Sequence, residues 1–309
     1  MRITDLFKKK MLMSFEVFPP KTEAGMEKLC SEGGVLDRLY ELRPDYISCT
    51  YGAGGTNVGR NMEVLGKIKR DGKTVPLTHF TCIRNTCESM REQLRSYLDN
   101  GINHLLAIRG DFPVGWDGTG GDLNYATELV KFIRKEFGDS FTIAVSGAPE
   151  GHVPCRSMKA DISFLRQKQD NGADYVMTQL CWDMEQFKYW LDAIRKAGVD
   201  LPLDVGVMPV LDAAAVINMS LSRNGCVMPS ELSQLISKHW IFPNVFAPTE
   251  DEESVRMKKA AFMEEGIEYT IRMIDEYRAL GVNGIHLYSL NKTEAVTRII
   301  KESGIVDFV

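Results

Sequence analysis

The sequence predicts a parallel (β/α)8 barrel. Three observations lead to this fold class: eight short apolar runs are each followed by a helical pattern, turns of the Gly-Ala-Asp or Gly-Val-Asn type lead into several of these runs, and the first run is not followed by G-x-G-x-x-G. An open, doubly wound sheet would more often carry that glycine motif where its strand order reverses. The closed barrel is therefore favoured over the open sheet.

The first couplet begins with an apolar strand at 12–17, which stops at a double proline that cannot continue a ladder or a helix interior. Helical spacing follows over 21–42 and is interrupted by Gly33 and Gly34. A second strand is predicted at 46–51, where β-branched and aromatic residues concentrate, and a glycine-rich turn then leads into a helix. The chain thus opens with two strand-helix couplets.

The remaining couplets repeat this pattern of a short apolar run and a helix. The later strands are predicted at 75–82, 104–111, 141–146, 175–181, 203–210 and 284–290. The helices after strands two to six and after strand eight are predicted at about 57–70, 87–99, 123–136, 159–171, 184–197 and 292–301. Eight couplets are the number that closes this barrel.

A long insertion separates strands seven and eight. It runs from about Val210 to Gly281, which is too long for one crossover, and holds two or three helices. Within it, Ser230 is a predicted N-cap, and the acidic run 249–253 is most simply a solvated turn and helix start favoured by the helix dipole. No Pro/Gly/Ser-rich linker divides the chain, so we predict a single domain over residues 1–309.

Composition and charge favour a small-molecule partner. The 309 residues are 44% hydrophobic and 26% charged, with a formal net charge of -5 from interspersed acids and bases. No basic face indicates nucleic acid, and no run approaches the roughly 18 apolar residues of a membrane-spanning helix.

Seven cysteines without a C-x-x-C pair argue against a zinc site or disulfide framework. The N-terminus lacks a cleavage site, so we expect a mature, untargeted cytoplasmic protein.

Polar residues stand at or just after the C-terminal ends of the predicted strands. In a (β/α)8 barrel these ends share one face and supply the catalytic groups. The residues are Glu16, Thr50, His79, Arg109, Gly110, Asp111, His152, Gln179 and Tyr288. Each has an ordinary structural explanation when taken alone, such as a satisfied core histidine or an arginine and aspartate paired in a loop. Their convergence on one rim predicts a polar ligand site.

Glu16 is the acid on which the functional interpretation depends. It lies near the end of the first strand among Phe15, Val17 and Phe18. The carboxyl group is either solvated at a sheet edge or held in a partly apolar site, where desolvation favours its protonated form. In the second case it would be a proton donor near neutral pH. The strand alone leaves both environments open.

Two other kinds of site receive weaker support. Four side chains could be imagined as metal ligands: His79, Asp111, His152 and Asp161. No H-x-H or H-E-x-x-H spacing is present, however, and Arg109 beside Asp111 would oppose a cation. The glycines within 52–55 could form a phosphate cradle, but without G-K-[ST] a simple glycine turn is favoured. We therefore expect no catalytic metal.

Seven collinear motifs carry a family resemblance. They are SFEVFPPK at 14–21, TYGAGG at 50–55, HFTC at 79–82, NGINHLLAIRGDFP at 100–113, KADISFLRQKQDNGAD at 159–174, TQLCWD at 178–183 and LYSLN at 287–291. In this order, over nearly the whole chain, the sequence resembles the methylenetetrahydrofolate reductase family. The resemblance implies a TIM barrel that binds FAD non-covalently. It also implies reduction of 5,10-methylenetetrahydrofolate to 5-methyltetrahydrofolate with NADH or NADPH as donor.

The resemblance implies roles at individual positions. Glu16 matches the general acid that protonates the bridging nitrogen of the folate, so that its five-membered ring opens to an iminium. Asp111 matches a carboxylate near the flavin and the pterin. Substrate contacts are implied for Glu16, Gln179, Tyr288 and Lys292. FAD contacts are implied for Thr50, His79, Arg109, Gly110, Asp111, Tyr125, His152, Asp161 and Lys168, with Arg109, His152 and Lys168 as partners of the diphosphate.

Three positions depart from the family pattern. Ala213 stands where we expect an aromatic ring that stacks on both substrates, Ala148 where we expect a tyrosine, and Lys292 where we expect an arginine. Loss of a stacking ring would weaken binding of either substrate by about 1 kcal/mol or more. An electron-carrier protein therefore becomes an alternative donor.

Two functions of other kinds stay open beside the flavin enzyme. One is a pterin-dependent barrel enzyme, such as a methyl-transfer domain, which would need no flavin. The other is a non-catalytic folate- or flavin-binding subunit of a larger complex. For the enzyme itself we expect methylenetetrahydrofolate and NAD(P)H to bind in turn in one pocket, a ping-pong scheme, within a homo-oligomer.

Overall fold

The chain folds into a closed barrel. The computed structural model describes residues 2–51, 58–112, 115, 118–222, 225–239 and 251–305. Within these ranges eight parallel strands follow one another around the barrel in chain order, and the eighth pairs with the first. Helices pack on the outer face of the sheet. The TIM barrel predicted from the sequence is confirmed.

The elements alternate as expected for this fold. The strands are β1 (Leu12–Val17), β2 (Tyr46–Cys49), β3 (Val75–Thr81), β4 (His104–Ile108), β5 (Thr142–Gly147), β6 (Tyr175–Thr178), β7 (Leu203–Val207) and β8 (Gly284–Tyr288). The helices are α1 (Ile3–Phe7), α2 (Glu23–Cys30), α3 (Val35–Tyr40), α4 (Val58–Asp71), α5 (Cys87–Asp99), α6 (Ala126–Phe137), α7 (Met158–Asp170), α8 (Met184–Lys196), α9 (Ala213–Ser220), α10 (Ser230–His239), α11 (Glu252–Ala279) and α12 (Thr293–Glu302). The helical insertion between β7 and β8 contains α9, α10 and α11.

Most predicted elements are confirmed to within a few residues. β1 and α5 have the predicted bounds, and the interruption at Gly33 and Gly34 separates α2 from α3. Several strands end earlier than predicted; β4 stops at Ile108 rather than at 111, so Arg109, Gly110 and Asp111 follow the strand. The sequence did not predict α1, since its five residues are too few for a periodic signal.

The predictions for turns and caps have mixed outcomes. Ser230 is the first residue of α10, so its prediction as an N-cap is wrong by one position. The acidic run does lead into a helix: Asp251 caps α11 by accepting a hydrogen bond from the Ser254 N–H. The first two residues of that run and the glycine turn within 52–55 lie outside the described residues.

Side chains alternate along each strand between the inside of the barrel and the helices outside. In β1, Met13 and Phe15 join the large apolar cluster between sheet and helices, whereas Leu12 belongs to a second cluster inside the barrel. Ser14 and Glu16 share the parity of Leu12 and therefore face inward. The inner face of the barrel thus carries polar groups as well as apolar ones.

α1 covers the N-terminal end of the barrel. Ile3 and Leu6 are buried against interior side chains that include Leu12. The ring of Phe7 lies 5.1 Å from that of Tyr175, measured between centroids. Burial of such side chains stabilises a fold by about 25 cal/mol per Å² of apolar surface. This short helix is therefore part of the core.

α11 lies close against the segment that follows β7. A Cβ at Gly266 would overlap the carbonyl oxygen of Val210, so only glycine permits this approach. Thr270, one turn later, accepts a hydrogen bond from the Val210 N–H at 3.0 Å and donates to the Gly266 carbonyl oxygen at 2.7 Å. Although α11 has 28 residues, neither it nor another described helix is long and apolar enough to cross a membrane.

We expect Gly266→Ala to destabilise the fold, because the added Cβ meets a backbone oxygen that cannot move without shifting the insertion. The unfolding free energy, measured by urea denaturation, should fall by about 1–3 kcal/mol. The matched control is Gly66→Ala in α4, where the nearest atom to the new Cβ is the end of the flexible Arg70 side chain at 3.2 Å. There, alanine should be neutral or stabilise the helix by up to about 1 kcal/mol. Equal effects of the two substitutions would contradict close packing at Gly266.

Candidate active site

Glu16 lies at the C-terminal end of the barrel, on its inner face. It is the penultimate residue of β1 and pairs in register with Ser48 of β2 and Tyr288 of β8. Only 8% of the residue is exposed. Of the two environments that the sequence left open, the structure shows the enclosed one.

Two imidazoles and a hydroxyl group surround the Glu16 carboxyl group. Its Oε2 lies 3.4 Å from His79 Nε2 and 3.9 Å from His286 Nε2. Ser48 Oγ lies 3.3 Å from each of these ring nitrogens. Burial lowers the pKa of His79, against the opposing charge of Glu16 and with a smaller contribution from His286. A neutral imidazole beside a carboxyl group can relay a proton, so the arrangement can hold a proton at the barrel mouth.

A chain of hydrogen bonds continues from His286 into the barrel. His286 Nδ1 lies 2.7 Å from Ser14 Oγ, which donates to Asp204 Oδ2 at 3.2 Å. Tyr46 also donates its hydroxyl to Asp204, and its ring stacks on His286 with centroids 5.6 Å apart. All four residues are fully buried. Burial raises the pKa of Asp204 to about 6, although His286, Tyr46 and Ser14 each act to lower it.

The loop after β8 fixes the end of β1. Ser289 donates its backbone N–H at 3.2 Å and its hydroxyl at 2.6 Å to the Glu16 carbonyl oxygen. The Asn291 side chain accepts from the Phe18 N–H at 3.4 Å and donates to the Phe18 carbonyl oxygen at 3.3 Å. Leu290 and Asn291 have φ values of 49° and 55°, left-handed conformations that non-glycine residues seldom adopt. The hydrogen bonds that this loop makes to the end of β1 offset the strain of its backbone and fix the position of the Glu16 backbone.

Gln179 and Tyr288 contact each other beside Glu16. Tyr288 Oη lies 3.5 Å from Gln179 Oε1 and 3.3 Å from the carbonyl oxygen of Thr178. Gly206 makes room for the tyrosine, since a Cβ there would stand 2.5 Å from Tyr288 Oη. Gln179 Oε1 also accepts from the Leu180 N–H at 2.9 Å, so the protein orients this amide.

A second group of side chains forms a charged rim after β4, after β5 and on α7. Its members are Arg109, Asp111, His152, Asp161 and Lys168. Partial desolvation is the largest cause that lowers the pKa of His152. The charges of Arg109 and Lys168 lower this pKa further, whereas those of Asp161 and Asp111 raise it. All five groups therefore share one electrostatic environment. Lys168 Nζ donates to the Ser146 carbonyl oxygen at 2.7 Å, and burial lowers the pKa of Lys168 to about 8. Asp111 and Asp161 balance the charges of Arg109 and Lys168, and the N–H donors of the basic side chains can bind an anion at this charged rim.

The other residues expected at the site lie at strand or helix ends. Thr50 follows β2 and is hydrogen-bonded through its N–H to the end of β1 at 3.2 Å. Gly110, with φ of 91°, turns the chain after β4. Tyr125 and Lys292 are exposed residues at the N-caps of α6 and α12. Among the described residues, no side-chain hydrogen bond or ion pair joins either one to Glu16 or the charged rim.

The two alanines that replace expected aromatic residues occupy different environments. Ala213 is 2% exposed as the first residue of α9, where Asp212 caps the helix. Ala148 follows β5 and is half-buried. Within the described ranges, no three His, Cys, Asp or Glu side chains are grouped as metal ligands would be.

Five residues that support Glu16 from behind were not predicted from the sequence: Ser14, Ser48, Asp204, His286 and Ser289. For three of them a signal was present. Ser14 and His286 stand two positions before Glu16 and Tyr288, so each shares an inward face with a residue that was found. Asp204 is an acid within an otherwise apolar strand, a pattern that indicates a partnered buried group.

Comparisons with known proteins agree with one another. A family model described as methylenetetrahydrofolate reductase matches residues 2–304. Methylenetetrahydrofolate reductase 1 of Schizosaccharomyces pombe is 32% identical over 305 residues, which cover 97% of this chain and 47% of that protein. The 5,10-methylenetetrahydrofolate reductase of Escherichia coli is 30% identical over 293 residues, which cover 95% of this chain and 90% of that protein. The chain spans about half the length of several of the curated relatives it matches.

Among solved structures, the chain resembles an uncharacterized protein from Clostridium thermocellum that is described as binding two copies of 5-methyl-5,6,7,8-tetrahydrofolic acid. The TM-score is 0.67 at 14% sequence identity, and the match covers 98% of each chain. At this identity the likeness shows the fold alone.

Asp204→Asn should change how stability depends on pH. Burial raises the pKa of Asp204 from 3.8 to about 6, so the folded protein binds this proton more tightly than the unfolded chain does. The contribution to the unfolding free energy is therefore full below about pH 4 and is lost, by up to about 3 kcal/mol, as the pH rises through about 6. Asparagine does not ionise, so the variant should gain stability relative to wild type over this range.

Urea denaturation at about pH 4 and about pH 7 measures this effect. The difference in unfolding free energy should move in favour of Asp204→Asn by on the order of 1–3 kcal/mol between the two conditions. The control is Asp200→Asn, at an exposed aspartate just before β7, for which the change should be much smaller. A difference for Asp204→Asn that stays constant with pH would contradict the interpretation.

Proposed function

The chain belongs to the methylenetetrahydrofolate reductase family, and from this premise we propose that it reduces 5,10-methylenetetrahydrofolate to 5-methyltetrahydrofolate with FAD as cofactor and NADH or NADPH as donor. The observation that carries the proposal is Glu16, an enclosed carboxyl group at the barrel mouth with His79 and His286 beside it. The reaction needs a proton at one folate nitrogen as well as a hydride, and this group can supply the proton.

The charged rim fits the diphosphate of FAD. Arg109, His152 and Lys168 would hold it, because two cationic side chains and an imidazole bring their N–H donors to one edge of the barrel. Burial lowers the pKa of Lys168 to about 8, and an adjacent diphosphate would stabilise its charged form again. The remaining contacts to FAD would come from Thr50, His79, Gly110, Asp111, Tyr125 and Asp161.

When bound, FAD supplies a two-electron carrier that takes hydride from the nicotinamide and gives it to the folate. Both substrates would use the same face of the barrel, so we propose that they bind in turn, in ping-pong order. Gln179 and Tyr288, which contact each other, would orient the pterin, and Lys292 would contact the substrate from the loop before α12. Asp111 would stabilise the cationic iminium of the folate through its negative charge.

Glu16 would act as the general acid. Its proton goes to the bridging nitrogen of the folate, the bond from that nitrogen to the methylene carbon breaks, and the iminium that remains can accept hydride at this carbon. His79 and His286 lie 3.4 Å and 3.9 Å from Oε2 and are the groups that can return a proton to Glu16 between turnovers. Ser289 keeps the Glu16 backbone in place during this exchange.

Glu16→Gln should leave reduction of the flavin by NADH or NADPH largely intact and abolish reduction of methylenetetrahydrofolate. Glutamine has nearly the same shape but no acidic proton, so the loss in the folate half-reaction should be at least about 10²-fold. Stopped-flow absorbance of the flavin measures the two half-reactions separately. Glu27→Gln, at an exposed position on α2, is the matched control and should change neither. Equal loss of both half-reactions in Glu16→Gln would refute the role of acid.

The purified protein should be yellow, should be bleached by NADH or NADPH and should recover its colour when methylenetetrahydrofolate is added. A colourless protein that FAD does not reconstitute would favour a pterin-dependent enzyme without flavin. A yellow protein that neither nicotinamide bleaches would favour a subunit served by an electron-carrier protein. Ala213 gives weight to this last alternative, because the expected stacking ring is missing there. The homo-oligomer and the single domain over 1–309 remain predictions.

A further inference from the structure

An unbroken series of polar contacts runs from the candidate acid into the barrel. We call this series the hydrogen-bond chain, and its members in order are His79, Ser48, His286, Ser14 and Asp204. Successive members lie 3.3, 3.3, 2.7 and 3.2 Å apart, measured between the contacting nitrogen and oxygen atoms. All members except His79 are fully buried, so solvent cannot replace these contacts. Each contact therefore needs a donor on one side and an acceptor on the other.

Asp204 ends the hydrogen-bond chain as a carboxylate at about pH 8. Burial raises its pKa to about 6, although His286, Tyr46 and Ser14 act to lower it. The titratable groups that face Asp204 from the surrounding elements are Tyr46, Asp45, Tyr175, His286 and Tyr288. A carboxylate has no proton to donate, so in the contact at 3.2 Å the Ser14 hydroxyl must donate to Asp204 Oδ2.

This donation decides which nitrogen of His286 carries a proton. A hydroxyl group has one proton, so Ser14 Oγ can only accept in its contact of 2.7 Å with His286 Nδ1, and Nδ1 must be the donor. Two acceptors at that distance would repel each other. A neutral His286 with its proton on Nδ1 has a lone pair on Nε2. Nε2 is the nitrogen that faces Ser48 and Glu16.

The same reasoning determines the proton of His79. The His286 lone pair accepts the single proton of Ser48, whose oxygen lies 3.3 Å away. Ser48 Oγ then has only lone pairs for His79 Nε2, also at 3.3 Å, so His79 must carry its proton on Nε2. Burial lowers the pKa of His79, so the ring is neutral at about pH 8 and has no second N–H. This Nε2 lies 3.4 Å from Glu16 Oε2, and its N–H can be shared with that oxygen.

We propose that Asp204 is a positioning residue for the candidate acid: through the hydrogen-bond chain it makes His79 a donor to Glu16 Oε2, which leaves Oε1 to carry the acidic proton. The inference rests on the proposed function of Glu16. With the chain reversed, His79 Nε2 would have a lone pair, and the Glu16 proton would be bound by that imidazole instead of being offered to the folate nitrogen. The hydrogen bond from His79 also strengthens when Glu16 becomes a carboxylate, because one partner is then charged.

The ¹⁵N chemical shifts of the histidine rings test the direction of the hydrogen-bond chain, since a nitrogen that carries a proton and one with a lone pair resonate far apart. At about pH 8, above the pKa of Asp204, the wild-type protein should have His286 protonated on Nδ1 and His79 on Nε2. The five histidines are assigned by single substitutions or, where a variant does not fold, by elimination. In Asp204→Leu, Ser14 is free to donate to His286 Nδ1, so both ring protons should move to the other nitrogen.

Two further variants keep this test decisive. Ser14→Ala breaks the hydrogen-bond chain at another position and should cause the same change, so it decides the question if Asp204→Leu does not fold. The matched control is Tyr175→Phe, which removes a buried hydroxyl that faces Asp204 but has no hydrogen-bond partner among the described residues. It should leave both rings as in wild type. A wild-type His286 with its proton on Nε2, or with protons on both nitrogens, would overturn the proposal, and so would a changed ring proton in Tyr175→Phe.

Stopped-flow measurement of the two half-reactions tests the effect on Glu16. Asp204→Leu should slow oxidation of the reduced flavin by methylenetetrahydrofolate by about tenfold or more and leave flavin reduction by NADH or NADPH unchanged. Tyr175→Phe should change neither rate. If the wild-type protein does not reduce the folate, the proposed function fails and the role of Asp204 with it, although the ¹⁵N shifts still report the direction of the chain. The predicted direction together with an unchanged folate half-reaction in Asp204→Leu would overturn the positioning role alone.

Discussion

A carboxyl group and an imidazole that are buried inside a closed barrel must find their partners within it, and this constraint organises the interior of the protein. Asp204 and His286 are both fully buried. Ser14 lies between them and is hydrogen-bonded to both. Tyr46 donates its hydroxyl to Asp204, and its ring stacks on His286. The remaining ring nitrogen of His286 then faces Glu16, 3.9 Å away. The candidate acid is thereby coupled to the centre of the barrel.

The charged rim differs from the barrel interior because part of it is exposed to solvent. Arg109, Asp111 and His152 follow strands β4 and β5 on loops, whereas Lys168 reaches the same edge from α7 and is held there by the end of β5. Their pKa shifts reflect mutual charge as well as desolvation. The interior therefore positions one protonatable group through fixed partners, while the charged rim offers the N–H donors of its basic side chains to an anion.

The parts of the structure that could be predicted from the sequence are those with local causes. The bounds of β1 and α5 are correct because each has a strong local signal, a double proline after β1 and the Thr86 cap before α5, which accepts from the Ser89 N–H. α1 has no such signal, and its place in the fold is decided by the barrel end that it covers. The local sequence pattern thus identifies helices and strands, but it does not identify the surfaces against which they pack.

The same distinction applies to the candidate site. Glu16 and Tyr288 could be found because each stands at a strand end, which the apolar run reveals. Serines such as Ser14 have many ordinary explanations, and what distinguishes this one is its hydrogen bond to Asp204, 190 positions away. Such pairings follow from the register of the closed barrel, in which Glu16 lies opposite Tyr288, and no local pattern encodes that register.

The junction of β1 and β8 has a consequence for biosynthesis. Glu16 and the Ser289 hydroxyl that binds its carbonyl oxygen are 273 positions apart. The ribosome therefore synthesises Glu16 long before Ser289. Until β8 emerges, β1 has one unpaired edge, which can recruit strands from other nascent chains. A messenger RNA truncated before the β8 codons would therefore yield an open sheet that is prone to aggregate. The nascent chain should also need chaperones for longer when translation of the insertion is slower.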